Sequence, residues 1–366
     1  MDKDSFLGKD LVLESKNVQA GSIKWRSPSN IAIVKYWGKY GTQFPRNPSI
    51  SGTLSSAHTQ TELHWDVRKK GPHTEEFDLT FEFEGKAEKA FEKRIANFLE
   101  RLSPQFPFLR QLSLHIASSN SFPHSSGIAS SASAMSALAL CLCSLEDRLF
   151  GTLSDDNLFD RKASFIARLG SGSAARSIFG YWAIWGASGE WPEATDSYAV
   201  PLESHVHPIF RNMKDAILIV SKEKKSVSSS AGHQLMDENP YAPVRYHQAQ
   251  NRIIKLLHIL SRGDWDGFVD ITEHEALTLH GLMMCSSPAY ILMASATIEL
   301  IRIIQSWRIN EGLPVCFTLD AGPNVHVLYP SAHAEEIEKR IQTECAQLCQ
   351  EEQIIFDELG PGPVEL

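Results

Sequence analysis

A serine- and glycine-rich segment, residues 118–133 (SSNSFPHSSGIASSAS), constrains the fold of this chain more than any other feature. The preceding run QLSLHIA alternates apolar and polar residues, which predicts a strand, and the small apolar residues of 132–149 predict a helix. A strand, a Gly/Ser turn and a helix N-terminus aim backbone N–H groups and the positive helix end at one point, which suits a phosphate. An ordinary capped loop without a ligand explains the segment equally well. It is not a Walker loop, because no Gly-Lys-Ser/Thr follows it.

The composition excludes several classes of protein. With 366 residues, 43% of them hydrophobic, the chain can form one large two-lobed domain or two domains around a sizeable core. Its net charge of −9 argues against a nucleic acid or an anionic membrane as partner. Six cysteines without a CxxC pair predict reduced thiols. A run of about 18 apolar residues, as a membrane span needs, is missing, and residues 1–16 lack the apolar core of a signal peptide, so we expect a cytoplasmic location.

The order of the predicted elements favours the α+β class. Strands and helices do not alternate in the βαβα rhythm of a doubly wound parallel sheet. We predict an N-terminal extension over residues 1–20 and an N-terminal lobe over 21–195 that carries the phosphate-binding loop. A C-terminal lobe over 196–366 completes the chain.

Local patterns set the expected boundaries of the elements. Two alternating runs, 59–67 and 77–84, predict a pair of strands, and 86–102 predicts an amphipathic helix. A strand over 30–36 carries Lys35 near its end, and the last nine residues predict a simple tail. Further helices are predicted over 155–169, 228–236, 243–261, 265–279, 289–310 and 332–349.

The first of three other motifs is SPSNIAIVKYWGK, residues 27–39. It places Lys35 and Lys39 four residues apart with Tyr36 and Trp37 between them. A lysine at the end of an apolar strand is unusual unless it has a partner. The alternative is a lysine that extends its charge from the strand end into water.

The second motif is GSGSAARS, residues 170–177. Its two glycines let the backbone approach a ligand closely, Ser171 and Ser173 offer hydroxyls, and Arg176 offers a bidentate fork for phosphate or carboxylate. A Gly-rich helix start without a ligand is an equally good interpretation of this motif alone.

The third motif is TLDAGPNVH, residues 318–326. Asp320 directly follows an apolar strand and begins a Gly-Pro-Asn turn, where a base is often placed. Taken alone, a turn aspartate that caps its own loop explains it better. Together the motifs supply two phosphate cradles, two or three cations and one carboxylate, the set that in-line phosphoryl transfer from ATP to a small anionic acceptor requires.

The order of the motifs PSNIAIVKYWGK, FPHSSGIASSAS, ARLGSGSAARS and LDAGPN resembles the galactokinase, homoserine kinase, mevalonate kinase and phosphomevalonate kinase superfamily. Within it, the chain is similar to the diphosphomevalonate decarboxylases over nearly its whole length, from about residue 24 onward. The resemblance implies two α+β lobes with a deep cleft between them, ATP and Mg²⁺ as cofactors, and compatibility with a homodimer. The implied reaction is ATP-dependent decarboxylation of mevalonate 5-diphosphate to isopentenyl diphosphate in the mevalonate pathway of isoprenoid biosynthesis.

The resemblance also implies a set of site residues. It places Asp320, Lys35 and Arg176 in catalysis: Asp320 as base or positioning carboxylate, Lys35 beside it, and Arg176 on the substrate carboxylate. Tyr36, Lys39, Ser171 and Ser173 join Arg176 in binding the substrate. The ATP phosphates are assigned to Ser119, Asn120, Ser126, Gly127, Ser130 and Ser131, of which Ser130 and Ser131 are also the candidate Mg²⁺ ligands. Lys93 and Arg94 are candidates for the terminal phosphate of the substrate.

Two other functions remain open from the sequence. A relative of the same superfamily could stop after phosphorylating a mevalonate derivative, or could decarboxylate a monophosphate. The pairing of Asp320 with Lys35 favours decarboxylation over simple phosphorylation. A non-catalytic small-molecule binder would have lost the base or the phosphate-binding serines, and Asp320, Lys35, Arg176 and Ser131 are all present.

Overall fold

The structure is a computed structural model that describes residues 6–14, 18–69, 76–122, 130–202, 205–223 and 227–366. Its strands in chain order are β1 (Gly21–Ala32), β2 (Lys39–Tyr40), β3 (Phe44–Pro45), β4 (Ser49–Val67), β5 (Asp78–Phe83), β6 (Lys86–Ala87), β7 (Leu112–Asn120), β8 (Trp182–Trp185), β9 (Val200–Pro201), β10 (Met213–Leu218), β11 (Cys316–Leu319), β12 (Val325–Pro330), β13 (Ile354–Glu358) and β14 (Val364–Glu365). The α-helices are α1 (Lys89–Arg101), α2 (Ser130–Phe150), α3 (Asp156–Gly170), α4 (Pro208–Arg211), α5 (Ser229–Gln234), α6 (Ala242–Arg262), α7 (Trp265–Met284), α8 (Ser295–Glu311) and α9 (Ala334–Arg340). Two predicted phosphate-site residues, Ser126 and Gly127, lie outside the described ranges.

Within the described ranges, a first sheet has the order β14–β1–β4–β7–β5–β6, with β8 added to β4 and β9 to β8. The long strands β1 and β4 pair antiparallel, with a register shift between Pro28 and Asn30. Proline has no N–H for the ladder, so an irregularity at this point is expected. Helix α2 packs on β1 and β4 of this sheet, and α3 packs on α2. α2 buries Ala132, Ser136 and Ala139, small residues that allow a close approach.

The structure corrects three predictions about the first sheet. Segments 59–67 and 77–84 both form strands, but β7 lies between them, antiparallel to β4 and parallel to β5. Alternation predicts a strand and its buried face but does not identify its neighbour. The predicted strand over 30–36 ends at Ala32 as part of β1, so Lys35 lies in the following loop. The predicted C-terminal tail contains β14, which pairs with the edge of β1 through Trp25 and Arg26.

A second sheet, within the described residues, has the order β11–β12–β10–β13. Helices α7 and α8 pack on β11, and their apolar residues form a separate core with the sheet. Asp357 of β13 connects the two sheets, because its carboxylate accepts the backbone N–H groups of Ser55, Ser56 and Ala57 in β4 at 2.7–3.1 Å. The mixed helices and sheets confirm the predicted α+β class.

Most predicted helices are present with shifted ends. α1 begins at Lys89 because residues 86–87 form β6, and α8 begins at Ser295, six residues later than expected. The predicted helix over 332–349 continues beyond α9 only as a π-helical turn (Ile341–Cys345) and a 3₁₀ turn (Ala346–Leu348). Among the helices of the described ranges, none combines the length and the apolar character that a membrane crossing requires.

Candidate active site

The motifs at residues 27–39, 170–177 and 318–326 meet at one cavity of about 230 Å³. β1 and the loop after it supply one wall, and a 3₁₀ helix over Gly172–Ile178 supplies another. α5, α7 and the turn after β11 complete it from the second half of the chain. The lining residues are Asn30, Ala32, Lys35, Tyr36, Trp37, Lys39, Gln43, Ser131, Gly170, Ser171, Gly172, Ser173, Arg176, Ser230, His233, Leu279, Asp320 and Ala321.

Lys35 and Asp320 form an ion pair in the cavity wall. Lys35 Nζ lies 3.0 Å from Asp320 Oδ1, with the lysine side chain 2% and the aspartate side chain 26% exposed. The aspartate is held by its own backbone, because its carbonyl accepts hydrogen bonds from His280 Nε2 at 3.1 Å and from the N–H of Gly322 at 2.7 Å. A lysine at this position is unusual unless it has a partner, and the Asp320 carboxylate is that partner.

A buried network, formed by Asn47 and by residues of the second half of the chain, holds the backbone of Lys35. The N–H of Lys35 donates to Glu275 Oε2 at 2.8 Å, and its carbonyl accepts from Arg245 Nη2 at 3.0 Å and from Asn47 Nδ2 at 3.0 Å. Glu275 also binds Arg245 Nη1 and Arg252 Nη1, each at 2.6 Å. Burial raises the pKa of Glu275, but the two arginines outweigh it and the net direction is down. Both backbone polar groups of Lys35, its N–H and its carbonyl, are thus held by hydrogen bonds.

Arg176 reaches the cavity from the 3₁₀ helix and is buried, with 1% of its surface exposed. Its Nε donates to Ser51 Oγ at 2.8 Å and its Nη2 to Asn30 Oδ1 at 3.3 Å, both neutral acceptors. Its Nη1 is buried and has no hydrogen-bond partner among the described residues. Burial lowers the pKa of Arg176 to about 10, against the opposing effects of Asp320 and Tyr36, so the guanidinium stays charged at neutral pH.

Tyr36 and Lys39 line another part of the same wall. The Tyr36 ring packs edge-on against Trp185 at 4.8 Å, and its buried hydroxyl has no partner among the described residues. Burial raises the pKa of Tyr36 well above its ordinary value, so the hydroxyl remains a donor. Gly172 is required here, because a Cβ at this position would lie 2.7 Å from Tyr36 Cε1. Lys39 Nζ donates to Gln43 Oε1 at 3.0 Å, and burial lowers the pKa of Lys39.

Three predicted serines form a chain of hydroxyl contacts along the cavity. Ser131 Oγ lies 3.3 Å from Ser171 Oγ, which lies 3.4 Å from Ser173 Oγ. Ser131 is the second residue of α2, so the helix N-terminus borders the cavity. This geometry brings the Ser/Gly segment and the GSGSAARS motif together.

Other predicted residues lie outside the cavity lining. Asn120 ends β7, where its N–H donates to Glu84 Oε1 and its Oδ1 accepts from Thr59 Oγ1, each at 2.8 Å. Ser119 pairs with Gln60 in the sheet. Lys93 and Arg94 belong to α1, and Arg94 lies over the Phe91 ring instead of facing the cavity. Ser130 begins α2 but does not line the cavity.

The donors at this end of α2 fit a hard cation only in part. The hydroxyls of Ser130 and Ser131 are neutral oxygen ligands of the type Mg²⁺ accepts, and Asp320 is the carboxylate of the cavity. The described part of the chain contains no group of three His, Cys, Asp or Glu side chains that could hold a metal. Because Mg²⁺ usually takes one or two protein ligands and completes its shell with water and substrate phosphates, this set is adequate for a metal that arrives with a nucleotide.

Several cavity residues were not predicted from the sequence. Asn30 lies in the motif at residues 27–39, so the motif itself was the signal for this residue, and its Oδ1 accepts a hydrogen bond from Arg176 Nη2. Ser230 and His233 lie in a segment that predicts only a short helix, and nothing in the pattern indicates that it reaches the cavity. Glu275 does not line the cavity but holds the Lys35 backbone behind it; it lies in the long helix α7, and its contact with Lys35 spans 240 positions of the chain.

Known families match both halves of the chain. The model of the diphosphomevalonate decarboxylase-like N-terminal domain matches residues 27–199, and that of the mevalonate 5-diphosphate decarboxylase C-terminal domain matches residues 216–359. The diphosphomevalonate decarboxylase of Ganoderma lucidum is 31% identical over 328 residues, which cover 85% of this chain and 79% of the relative. The chain belongs to the diphosphomevalonate decarboxylase family. The human diphosphomevalonate decarboxylase is 27% identical over 92% of both chains.

Solved structures support the fold assignment. The mevalonate diphosphate decarboxylase of Staphylococcus aureus superposes with a TM-score of 0.81 and 26% identity, over 95% of this chain and 98% of that chain. MDDEF, solved in complex with MVAPP, AMPPCP and magnesium, gives a TM-score of 0.78 and 26% identity over 95% and 99% of the two chains. The resemblance noted in the sequence and the two-lobed kinase-like fold that it implies are therefore confirmed.

Proposed function

We propose that Asp320, Lys35 and Arg176 are the catalytic residues with which this diphosphomevalonate decarboxylase converts mevalonate 5-diphosphate and ATP to isopentenyl diphosphate, ADP, phosphate and CO₂. The observation that carries the proposal is the joint placement of three charged groups on one cavity. A buried lysine is paired with a carboxylate at 3.0 Å, and beside them a buried guanidinium keeps one N–H donor unpaired among the described residues.

In the first step the tertiary C3 hydroxyl of mevalonate 5-diphosphate attacks the γ-phosphorus of ATP. The new O–P bond forms as the bond to ADP breaks, and the hydroxyl proton passes to Asp320. Lys35 stabilises the ionised carboxylate before the step and the negative phosphoryl oxygens during it. Because Glu275, Arg245 and Asn47 hold the Lys35 peptide, its ammonium group needs little reorganisation.

In the second step the C3–O bond to phosphate breaks and leaves positive character on C3. The bond between C2 and the carboxylate carbon then breaks, its electron pair forms the C=C bond, and CO₂ departs. Arg176 binds the carboxylate before this step with the donor that is otherwise unpaired. It fixes the C–CO₂ bond in the orientation that elimination needs.

The remaining cavity residues bind the two substrates. Tyr36, Lys39, Ser171 and Ser173 contact mevalonate 5-diphosphate, and the cation Lys39 binds its phosphate chain. On the nucleotide side we assign Ser131, which lines the cavity, and Ser119, Asn120 and Ser130, which lie outside its lining, together with Ser126 and Gly127 in the segment outside the described ranges. MDDEF was solved with MVAPP, AMPPCP and magnesium, which supports a ternary site of this kind because AMPPCP is an analogue of ATP. Ser130 and Ser131 would supply hydroxyl ligands to Mg²⁺, which neutralises phosphate charge when bound.

A product assay separates this function from its alternatives. The purified chain is incubated with ATP, Mg²⁺ and either mevalonate 5-diphosphate or mevalonate 5-phosphate, and ADP and CO₂ are both measured. We expect equal amounts of ADP and CO₂ with the diphosphate and little of either with the monophosphate. ADP without CO₂ would show a kinase, and CO₂ from the monophosphate alone would show the other decarboxylase. A cytoplasmic location and a homodimer, both compatible with this function, stay predictions.

A further inference from the structure

His233 lies in the cavity wall, and none of the roles assigned above uses it. Its ring packs against two aromatic side chains, with centroids 4.3 Å from Tyr36 and 4.7 Å from Trp37. The backbone N–H of Gly38 donates to its Nδ1 at 3.0 Å. These contacts fix the ring in one orientation.

The hydrogen bond from Gly38 also determines where the ring carries its proton. A ring nitrogen that accepts from an N–H group has no proton of its own, so the neutral imidazole is protonated at Nε2. Burial, and then the charge of Lys39, lowers the pKa of His233 to about 3. In the neutral pH range the side chain is therefore an uncharged N–H donor.

Two glycines permit this arrangement. Gly38 has a φ of +91°, and a Cβ there would clash with the hydroxyl oxygen of Tyr246. A Cβ at Gly232 would lie 2.7 Å from two atoms of the Trp37 ring. The two glycines therefore allow α5 to pack against Trp37, and this packing places His233 in the cavity wall.

The surroundings of Nε2 indicate the chemistry of its ligand. Nε2 has no hydrogen-bond partner among the described residues, and Ser230, one turn earlier on α5, lines the same cavity. Lys39 is the cation that acts on His233, and its described partner is the neutral amide of Gln43. The ion pairs of the described residues leave Lys39 without a carboxylate. The Nε2–H group of His233, the Ser230 hydroxyl and the Lys39 cation without a carboxylate partner together fit an anion that accepts several hydrogen bonds.

We propose that the Nε2–H group of His233 donates a hydrogen bond to a phosphate oxygen in the diphosphate chain of the substrate, beside Lys39. The identity of the substrate rests on the proposed function. The substrate carboxylate is the less suitable acceptor, because the proposed function assigns it to Arg176, whereas the cation that acts on His233 is Lys39, which is assigned to the phosphate chain. A neutral donor adds a hydrogen bond to the phosphate chain without another buried cation.

The test compares His233→Phe with His233→Gln. Phenylalanine keeps a ring against Tyr36 and Trp37 but has no donor, whereas glutamine can place an amide N–H near the position of Nε2. Calorimetric titration without ATP measures the Kd of mevalonate 5-diphosphate and of inorganic pyrophosphate. We expect His233→Phe to raise both Kd values about tenfold, as for a hydrogen bond to a charged group, and His233→Gln to recover part of the loss. In turnover assays the change should fall on KM more than on kcat, because the diphosphate does not react.

His258→Phe is the matched control, since His258 is exposed on α6 and does not line the cavity. Kd values of His233→Phe within twofold of the wild type, when the wild type binds, would overturn the inference alone. A wild type that binds mevalonate 5-diphosphate neither in titration nor in turnover would instead overturn the proposed function. If His233→Phe does not fold, the imidazole ¹⁵N spectrum of the wild type decides: pyrophosphate should shift the Nε2 signal of His233, and an unchanged signal contradicts the proposal.

Discussion

Arg176 and Arg245 are both buried, with 1% and 3% of their surface exposed, yet their partners differ. Arg245 donates to both carboxylate oxygens of Glu275, at 2.6 and 2.7 Å, and leaves only its Nε without a partner. Arg176 donates to neutral oxygens of Ser51 and Asn30, and no carboxylate of the described residues forms an ion pair with it. One charge is neutralised inside the fold, and the other is not.

The difference indicates what each charge is for. Burying a guanidinium without a carboxylate costs free energy, and a protein tolerates the cost where a ligand supplies the missing anion. Arg245 and Glu275 hold the peptide of Lys35 and belong to the framework of the site. Arg176 faces the cavity with an available donor and belongs to the chemistry. We therefore expect substitutions in the two groups to separate turnover from stability.

The largest effect is expected for Asp320→Ala, which removes the proposed base. Turnover should fall by about 10²–10⁴-fold, the usual contribution of a general base, while ATP affinity stays similar. Steady-state CO₂ release and nucleotide titration measure the two quantities, and Asp320→Asn serves as the variant of equal size. Asp320 borders the cavity and is partly exposed, so its loss should lower Tm less than a change in the Glu275 network does. Unchanged turnover would refute the role assigned to Asp320.

The largest loss of stability is expected for Glu275→Leu. It leaves Arg245 and Arg252 buried or half-buried without a counter-ion, which should lower the free energy of unfolding by about 3–5 kcal/mol. Urea unfolding measures the change. The matched control is Glu311→Leu, which removes a more exposed partner from Arg340 and should cost no more than about 1 kcal/mol. Equal losses of unfolding free energy in both variants would show that the buried network stabilises the fold no more than the exposed ion pair does.

A pair of arginine variants tests the comparison directly. Arg176→Gln should lower kcat/KM by about 10²–10³-fold, as for the loss of one well-placed charged donor, and should leave Tm unchanged or raise it. Arg245→Gln should lower Tm, because Glu275 loses its bidentate partner. The measurements are CO₂ release at low substrate concentration and thermal unfolding. If Arg176→Gln lowers Tm as much as Arg245→Gln does, Arg176 is a structural residue and the proposed role fails.

The two groups also differ in how far the sequence reveals them. Lys35, Arg176 and Asp320 lie in short motifs rich in Gly, Ser and Pro, where polar residues next to apolar strands indicate a site, and the family resemblance links the motifs. Glu275 and Arg245 lie in long helices whose pattern explains them equally well as exposed charges. Glu275 contacts Arg245, which is 30 positions away in the chain, and Lys35, which is 240 positions away, and only the folded chain brings these residues together.

The strands show the same limit. The alternation of Leu112, Leu114 and Ile116 correctly predicts a strand with one buried face, as each of these side chains is at most 3% exposed. The same kind of pattern predicts β4 and β5 but gives no sign that β7 lies between them, since cross-strand partners are chosen by tertiary packing.

The smallest predicted effect concerns Asp160 on α3, a half-buried carboxylate that contrasts with Glu275. Burial, and then repulsion by Asp156, raises the pKa of Asp160 to about 6, and it has no ion pair among the described residues. The folded state therefore binds this proton more tightly than the unfolded chain, and its contribution to stability is lost as pH rises from about 4 to 6. Asp160→Asn should raise the free energy of unfolding at pH 7 by on the order of 0.5 kcal/mol, a value reduced by the partial exposure of the group, and should leave it unchanged at pH 4. For Glu275 the sign is opposite. Its pKa is lowered in the fold, so it stabilises the folded state at pH values above the ordinary pKa of a glutamate, and this stability is lost as pH falls. Urea unfolding of wild type and Asp160→Asn across pH 4–7 measures the difference, and a gain that is the same at both ends of the range would contradict the role of the charge.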